Sequence, residues 1–93
     1  MNAESSAWVV PDHARPAWDA LSRVLAEQRE PAPCEAAPEA WFTPLLVEDA
    51  RAGCARCPAV AECLAYALVA DERTGVWGGL DERQRRERVR RAS

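Results

Sequence analysis

Cys54-Ala55-Arg56-Cys57-Pro58-Ala59-Val60-Ala61-Glu62-Cys63 carries three of the four cysteines in this chain. With Cys34 upstream the set reads C-x19-C-x2-C-x5-C, all within 30 residues. A C-x2-C step at a helix end lets two sulfurs converge on one centre. Pro58 suits the opening of the next helix, and Cys63 then falls on its second turn. Cys34 arrives from far away in sequence, so a group bound by all four would tie an early loop to this helix. Its binding energy would then be part of the folding energy. The 93 residues make one small domain with room for a modest core, and chains of this size commonly need a cross-link or a metal. The expected fold is all-α, a small bundle of about four short helices around that site.

Working outward, the first dozen residues lack periodicity and read as a loose arm. Pro16 then suits a first helical turn, and Trp18, Leu21 and Leu25 form one apolar stripe that should run to about Arg29. Pro31 and Pro33 stop it, and Cys34 sits in a loop bounded by Pro33 and Pro38. Thr43 and Pro44 look like the N-cap and first position of a second helix, through Leu45, Leu46 and Ala50 to about Gly53. In the third helix Val60, Leu64, Ala67 and Leu68 make the core stripe, to Ala70 or Asp71. Gly75-Val76-Trp77-Gly78-Gly79 follows as a tight turn. Asp81 with Gln84 resembles a capping box and predicts a fourth, polar helix over 82–91. No strand pattern or internal repeat stands out. The organisation expected is residues 1–32 as arm and first helix, 33–80 as the site-bearing core, and 81–93 as an Arg-rich helix or tail.

The charge is split. Residues 1–82 hold six Arg against fourteen acidic residues, a net −8, whereas residues 83–93 hold six Arg against one Glu, a net +5. An acidic body is a poor surface for nucleic acid, so any DNA contact belongs to the tail. The opening Met1 to Val10 has no basic n-region and no apolar h-region, and no run approaches about 18 apolar residues. A cytoplasmic chain with no membrane contact is expected. In a reducing cytosol, clustered cysteines read as metal ligands or redox groups before structural disulfides.

From spacing alone three chemistries stay open. Structural zinc usually uses two paired knuckles, and only one is present. An iron–sulfur cluster tolerates isolated ligands. Disulfides or redox thiols are the third, with Cys54 and Cys57 as a thiol–disulfide pair. His13 lies outside the cysteine stretch and reads as solvated. The order of cysteine loop, aromatic pair, C-x2-C-P-x4-C, G-V-W-G-G and basic tail resembles the WhiB-like family over roughly residues 33–91. These are actinobacterial iron–sulfur proteins that act in transcription. The resemblance implies that Cys34, Cys54, Cys57 and Cys63 hold a [4Fe-4S] cluster inside the helical bundle. It also implies that the chain is a regulator responsive to redox state or to oxygen or nitric oxide.

Trp77, set between glycines, either folds back as a core plug or stands out as an anchor for a partner. The resemblance favours the second. It assigns Gly75, Val76, Trp77, Gly78 and Gly79, with Trp41 and Phe42, to contact with the C-terminal domain of the primary sigma factor. Arg83, Arg86 and Arg90 share one helical stripe, Arg85 and Arg88 a second, and Arg91 ends the run. They form either a solvated helix terminus or a set of phosphate contacts, and the resemblance points to promoter DNA. No Gly-Arg-Pro hook occurs, so sequence-specific readout by this chain alone is not expected. No catalytic set is visible. The rivals are a thiol–disulfide reductase using Cys54 and Cys57, and a structural zinc module that bridges proteins.

Overall fold

The computed structural model describes residues 9–92. The expected loose arm, with Trp8, lies mostly outside them. A 3-10 turn over Asp12–Ala14 leads into α1, Arg15–Ala26, with Pro16 in its first turn where a missing N–H costs nothing. α1 ends at Ala26, short of the expected Arg29, and the Gln28 amide reaches back to the Val24 carbonyl at 3.0 Å. That carbonyl also accepts the Glu27 N–H at 3.2 Å, so the last turn closes on itself before Pro31 is reached.

Two single-turn helices occupy what reads as loop in the sequence: α2, Pro33–Ala36, and α3, Glu39–Phe42. α2 is closed by the Glu35 carboxylate, which accepts the Ala32 backbone N–H at 2.8 Å. Cys34 therefore sits on a helical turn and not in an extended loop. The expected Thr43 N-cap makes no side-chain bond; Pro44–Leu46 forms a 3-10 turn, and α4 begins at Val47 and runs to Ala55. Gly53, expected to end this helix, lies inside it. α5, Val60–Ala70, ends on Asp71, which takes the left-handed conformation (φ 57°, ψ 51°) usually left to glycine. α6, Glu82–Ala92, opens on the predicted capping box: Gln84 N–H donates to Asp81 Oδ1 at 2.8 Å, and Asp81 N–H donates to Gln84 Oε1 at 2.9 Å. The bundle is all-α, and among the described residues its nearest approach to a sheet is the isolated bridge between Trp77 and Leu80.

Packing divides this small bundle into two apolar clusters. One gathers Ala40, Trp41, Ala50, Cys54 and Val76, with Cys34, Val47 and Val60 against it. The other gathers Ala14, Leu21, Ala59 and Tyr66, with Trp18, Val24, Leu25, Cys57, Cys63 and Trp77 against it. α1 lies on α5 in the second cluster, while α2 and α3 lie on α4 in the first. Tyr66, absent from the predicted stripe, is fully buried between Trp18 and Trp77, with ring centroids 5.1 and 5.3 Å away, and its hydroxyl donates to Glu72 at 2.8 Å. The exposed His13 ring hydrogen-bonds the Val69 carbonyl at 3.1 Å, joining the start of the described chain to the end of α5.

A four-cysteine cavity and its glycine turn

Each cysteine is delivered by a different piece of backbone. Cys34 is carried on α2, held by Pro33 at the helix start. Cys54 lies in the last turn of α4, and the reversal that follows is fixed by Cys57 N–H donating to the Cys54 carbonyl at 3.0 Å. Cys63 lies on the first turn of α5, its N–H bonded to Ala59 at 2.8 Å. All four thiols are free, and all four line one cavity of ≈ 490 Å³ walled by Trp18, Leu21, Leu25, Trp41, Phe42, Val76 and Trp77.

Burial dominates the electrostatics of this cavity. Burial pushes the Cys63 thiol up to about 12, opposed by a backbone hydrogen bond from Gly78 and reinforced by Cys54, Cys34 and Cys57. Burial also raises Cys34, with Cys57, Glu35 and Cys54 adding to the shift. Ionising Cys34 and Cys63 in this poorly solvated space would call for positive charge close by, as a bound metal supplies. Soft sulfur donors in an apolar shell fit iron–sulfur or zinc chemistry. Among the described residues no three His, Cys, Asp or Glu side chains converge as ligands of one ion would. The sulfurs are spread around the walls of the cavity instead.

The glycine turn closes one side. Trp77 and Leu80 exchange backbone hydrogen bonds at 3.0 and 3.1 Å around Gly78 and Gly79, both at positive φ (58° and 86°), as a type I′ turn requires. A Cβ on Gly78 would stand 2.7 Å from the Leu64 backbone nitrogen, so the turn rests directly on α5. Val76 N–H donates to the Trp41 carbonyl at 2.8 Å, which joins the turn to α3. Arg85 then reaches back from α6 into the loop. Its guanidinium donates to the carbonyls of Leu80 (2.6 Å), Gly75 (2.9 Å), Glu72 (3.0 Å) and Thr74 (3.4 Å).

A family model described as Transcription factor WhiB matches residues 28–87, more than half of the chain and all four cysteines, the turn and the clamp. The chain belongs to the WhiB family. Over 79 residues it is 39% identical to Transcriptional regulator WhiB2 of Mycobacterium tuberculosis, covering 83% of this chain and 79% of that one. It is 51% identical to Transcriptional regulator WhiB of Streptomyces coelicolor over 45 residues, or 48% of this chain and 51% of the relative. The match to Transcriptional regulator WhiD of the same organism is 54% over 44 residues, 47% of this chain and 39% of the relative. The chain thus spans about half the length of the Streptomyces WhiB. The relatives are named as regulators of transcription, not as enzymes. Among the described residues no helix is long and apolar enough to cross a membrane.

In this WhiB-family chain several side chains fall elsewhere than the sequence suggests. Trp41 is 7% exposed and Val76 is buried, so neither presents a surface for a partner. The type I′ turn draws Val76 inward beside Ala40 and Ala50. Phe42 is 58% exposed, its ring lying over Gly75, where a Cβ would come within 2.6 Å of it. Trp77 combines both readings: it is half-buried against Tyr66, with its indole N–H on the Thr74 carbonyl at 2.9 Å. Arg85, counted among the DNA-facing cations, is 3% exposed and committed to four carbonyls. Arg83, Arg86, Arg88, Arg90 and Arg91 are exposed. Of these, Arg86 pairs with Glu82, and Arg90 and Arg91 pair with Glu87.

Proposed function

We propose that this WhiB-family chain binds a [4Fe-4S] cluster on Cys34, Cys54, Cys57 and Cys63. It would use the state of that cluster to regulate transcription through the C-terminal domain of the primary sigma factor and promoter DNA. The observation that carries the reading is that four free thiols from α2, α4, the α4–α5 turn and α5 line one apolar cavity. When bound, such a cluster supplies a redox-active centre sensitive to oxygen and nitric oxide. The residues then have separable tasks. Trp18, Leu21 and Leu25 exclude water from the α1 side of the cavity, and Trp41 and Val76 do so from the other. Phe42 and the rim of Trp77 are the aromatic surface left for the sigma-factor domain, an apolar anchor pair of the kind that dominates protein interfaces. The exposed arginines of α6 supply phosphate contacts.

The thiol–disulfide reductase reading fares less well. Its attacking thiol would be Cys54, which is buried in the first apolar cluster, whereas exchange requires an accessible thiolate.

Anaerobic purification with iron, sulfide and zinc analysis tests the proposal. About four irons and four sulfides per chain, lost on replacing any one cysteine with serine, is the expected result. About one zinc per chain and indifference to oxygen would overturn it. With the cluster in place, Phe42→Ala should abolish co-purification with the sigma-factor domain at unchanged iron content.

A further inference from the structure

Trp41 donates its indole N–H to Cys54 Sγ at 3.2 Å in the buried wall of the cavity. The contact depends on an unusual concession in α4. Gly53 sits inside a helix, where glycine costs about 1 kcal/mol relative to alanine. A Cβ there would stand 2.6 Å from Cη2 and 2.7 Å from Cζ2 of Trp41. The missing side chain is the space that the indole fills. Nε1 can only donate, and among the described residues its partner is the Cys54 sulfur; moved from this place it would be an orphaned buried donor. The backbone is pinned as well, since the Trp41 carbonyl accepts the Val76 N–H. Two observations, a spaced glycine and a directed donor, therefore converge on one ligand sulfur.

We propose that Trp41, through its indole N–H on Cys54, is a positioning residue that raises the reduction potential of the metal centre held by the four cysteines. The inference rests on the cluster reading above. Reduction adds negative charge that is shared with the ligand sulfurs, so a donor aimed at one sulfur stabilises the reduced state more than the oxidised one. Burial strengthens the effect, because water does not compete for the sulfur. Phenylalanine keeps an aromatic ring at this position while removing the donor and part of the indole's volume.

The test compares anaerobically loaded wild type, Trp41→Phe, Gly53→Ala and the double variant by potentiometric titration. The couple is the one-electron reduction of the cluster, with dithionite as the electron source, itself oxidised to sulfite. Expected is full iron and sulfide in W41F with a midpoint more negative than wild type. A shift of the same sign is expected in G53A, whose Cβ displaces the indole, with no additional shift in the double variant beyond that of W41F. An unchanged or more positive midpoint in fully loaded W41F overturns the inference and leaves the cluster reading standing. Wild type that takes up no iron and sulfide overturns both. If W41F fails to load, wild-type protein carrying 15N-indole decides. Pulsed EPR of the reduced protein must then show coupling to an indole nitrogen, and its absence overturns the inference.

Discussion

Arg85 illustrates what one residue of this chain is asked to do. Six arginines crowd residues 83–91, and composition alone makes them equivalent. The Asp81–Gln84 capping box removes that equivalence, because it fixes where α6 starts. Side chains on a helix lean toward its N-terminus, so the residue one turn past the cap lies over the loop that enters the helix. That residue is Arg85, and the entering loop ends in carbonyls that need donors. The signal was present in the sequence, but only a register argument could extract it. Burial lowers the guanidinium from its usual range, offset by the acidic Glu82, Asp81 and Glu72 around it, and it stays charged. Arg85→Gln should destabilise the fold by about 2–3 kcal/mol through orphaned carbonyls. Arg83→Gln, on the exposed face, should stay within about 0.5 kcal/mol. Chemical denaturation of both variants checks the contrast; equal effects would mean that the clamp is not holding the turn.

At the scale of elements, α6 has one face spent on structure and another open to solvent. Its exposed i,i+3 and i,i+4 ion pairs, Arg86 with Glu82 and Arg90 and Arg91 with Glu87, contribute little to stability and would yield readily to phosphate. Replacing Arg83, Arg88 and Arg90 with Gln should weaken DNA binding and flatten its salt dependence by up to about 3 units of log K per log salt, without unfolding α6. Titrations at several salt concentrations measure this, and an unchanged slope would remove α6 from the DNA surface. The long helices α1 and α5 were legible because an apolar stripe behind a helix-opening proline marks each, and α6 because a capping box does. The single turns α2 and α3 were not, since four residues carry no period and their prolines read equally well as loop. Gly53 misled for a different reason. Glycine commonly marks a helix end, but here it marks a close approach by Trp41, a contact that depends on tertiary structure.

For the whole molecule, the informative fact is how the cysteines divide between the two apolar clusters. Cys34 and Cys54 belong with Trp41, Ala50 and Val76, while Cys57 and Cys63 belong with Leu21, Tyr66 and Trp77. A group bound to all four would join halves that otherwise meet through the α4–α5 reversal and the glycine turn. The halves are unequal in their own resources. The second has two long helices, α1 on α5, and three aromatic rings in contact. The first has two single-turn helices on a nine-residue α4, with Phe42 and the 93% exposed Leu45 turned to solvent. If the four cysteines hold the proposed cluster, removing it with a chelator should therefore open the molecule in order. Amide exchange should accelerate first in residues 33–55, while α1 and α5 keep their protection until global unfolding. The helical signal should fall only in part, and Tyr66 should stay buried between Trp18 and Trp77. Exchange mapped residue by residue on metal-loaded and stripped protein provides the measurement. If both halves lose protection together, one cooperative core would replace this account. If only residues 33–55 open, cluster loss changes the surface that carries Phe42 and leaves α5 folded, so the signal would reach a partner through one half of the protein.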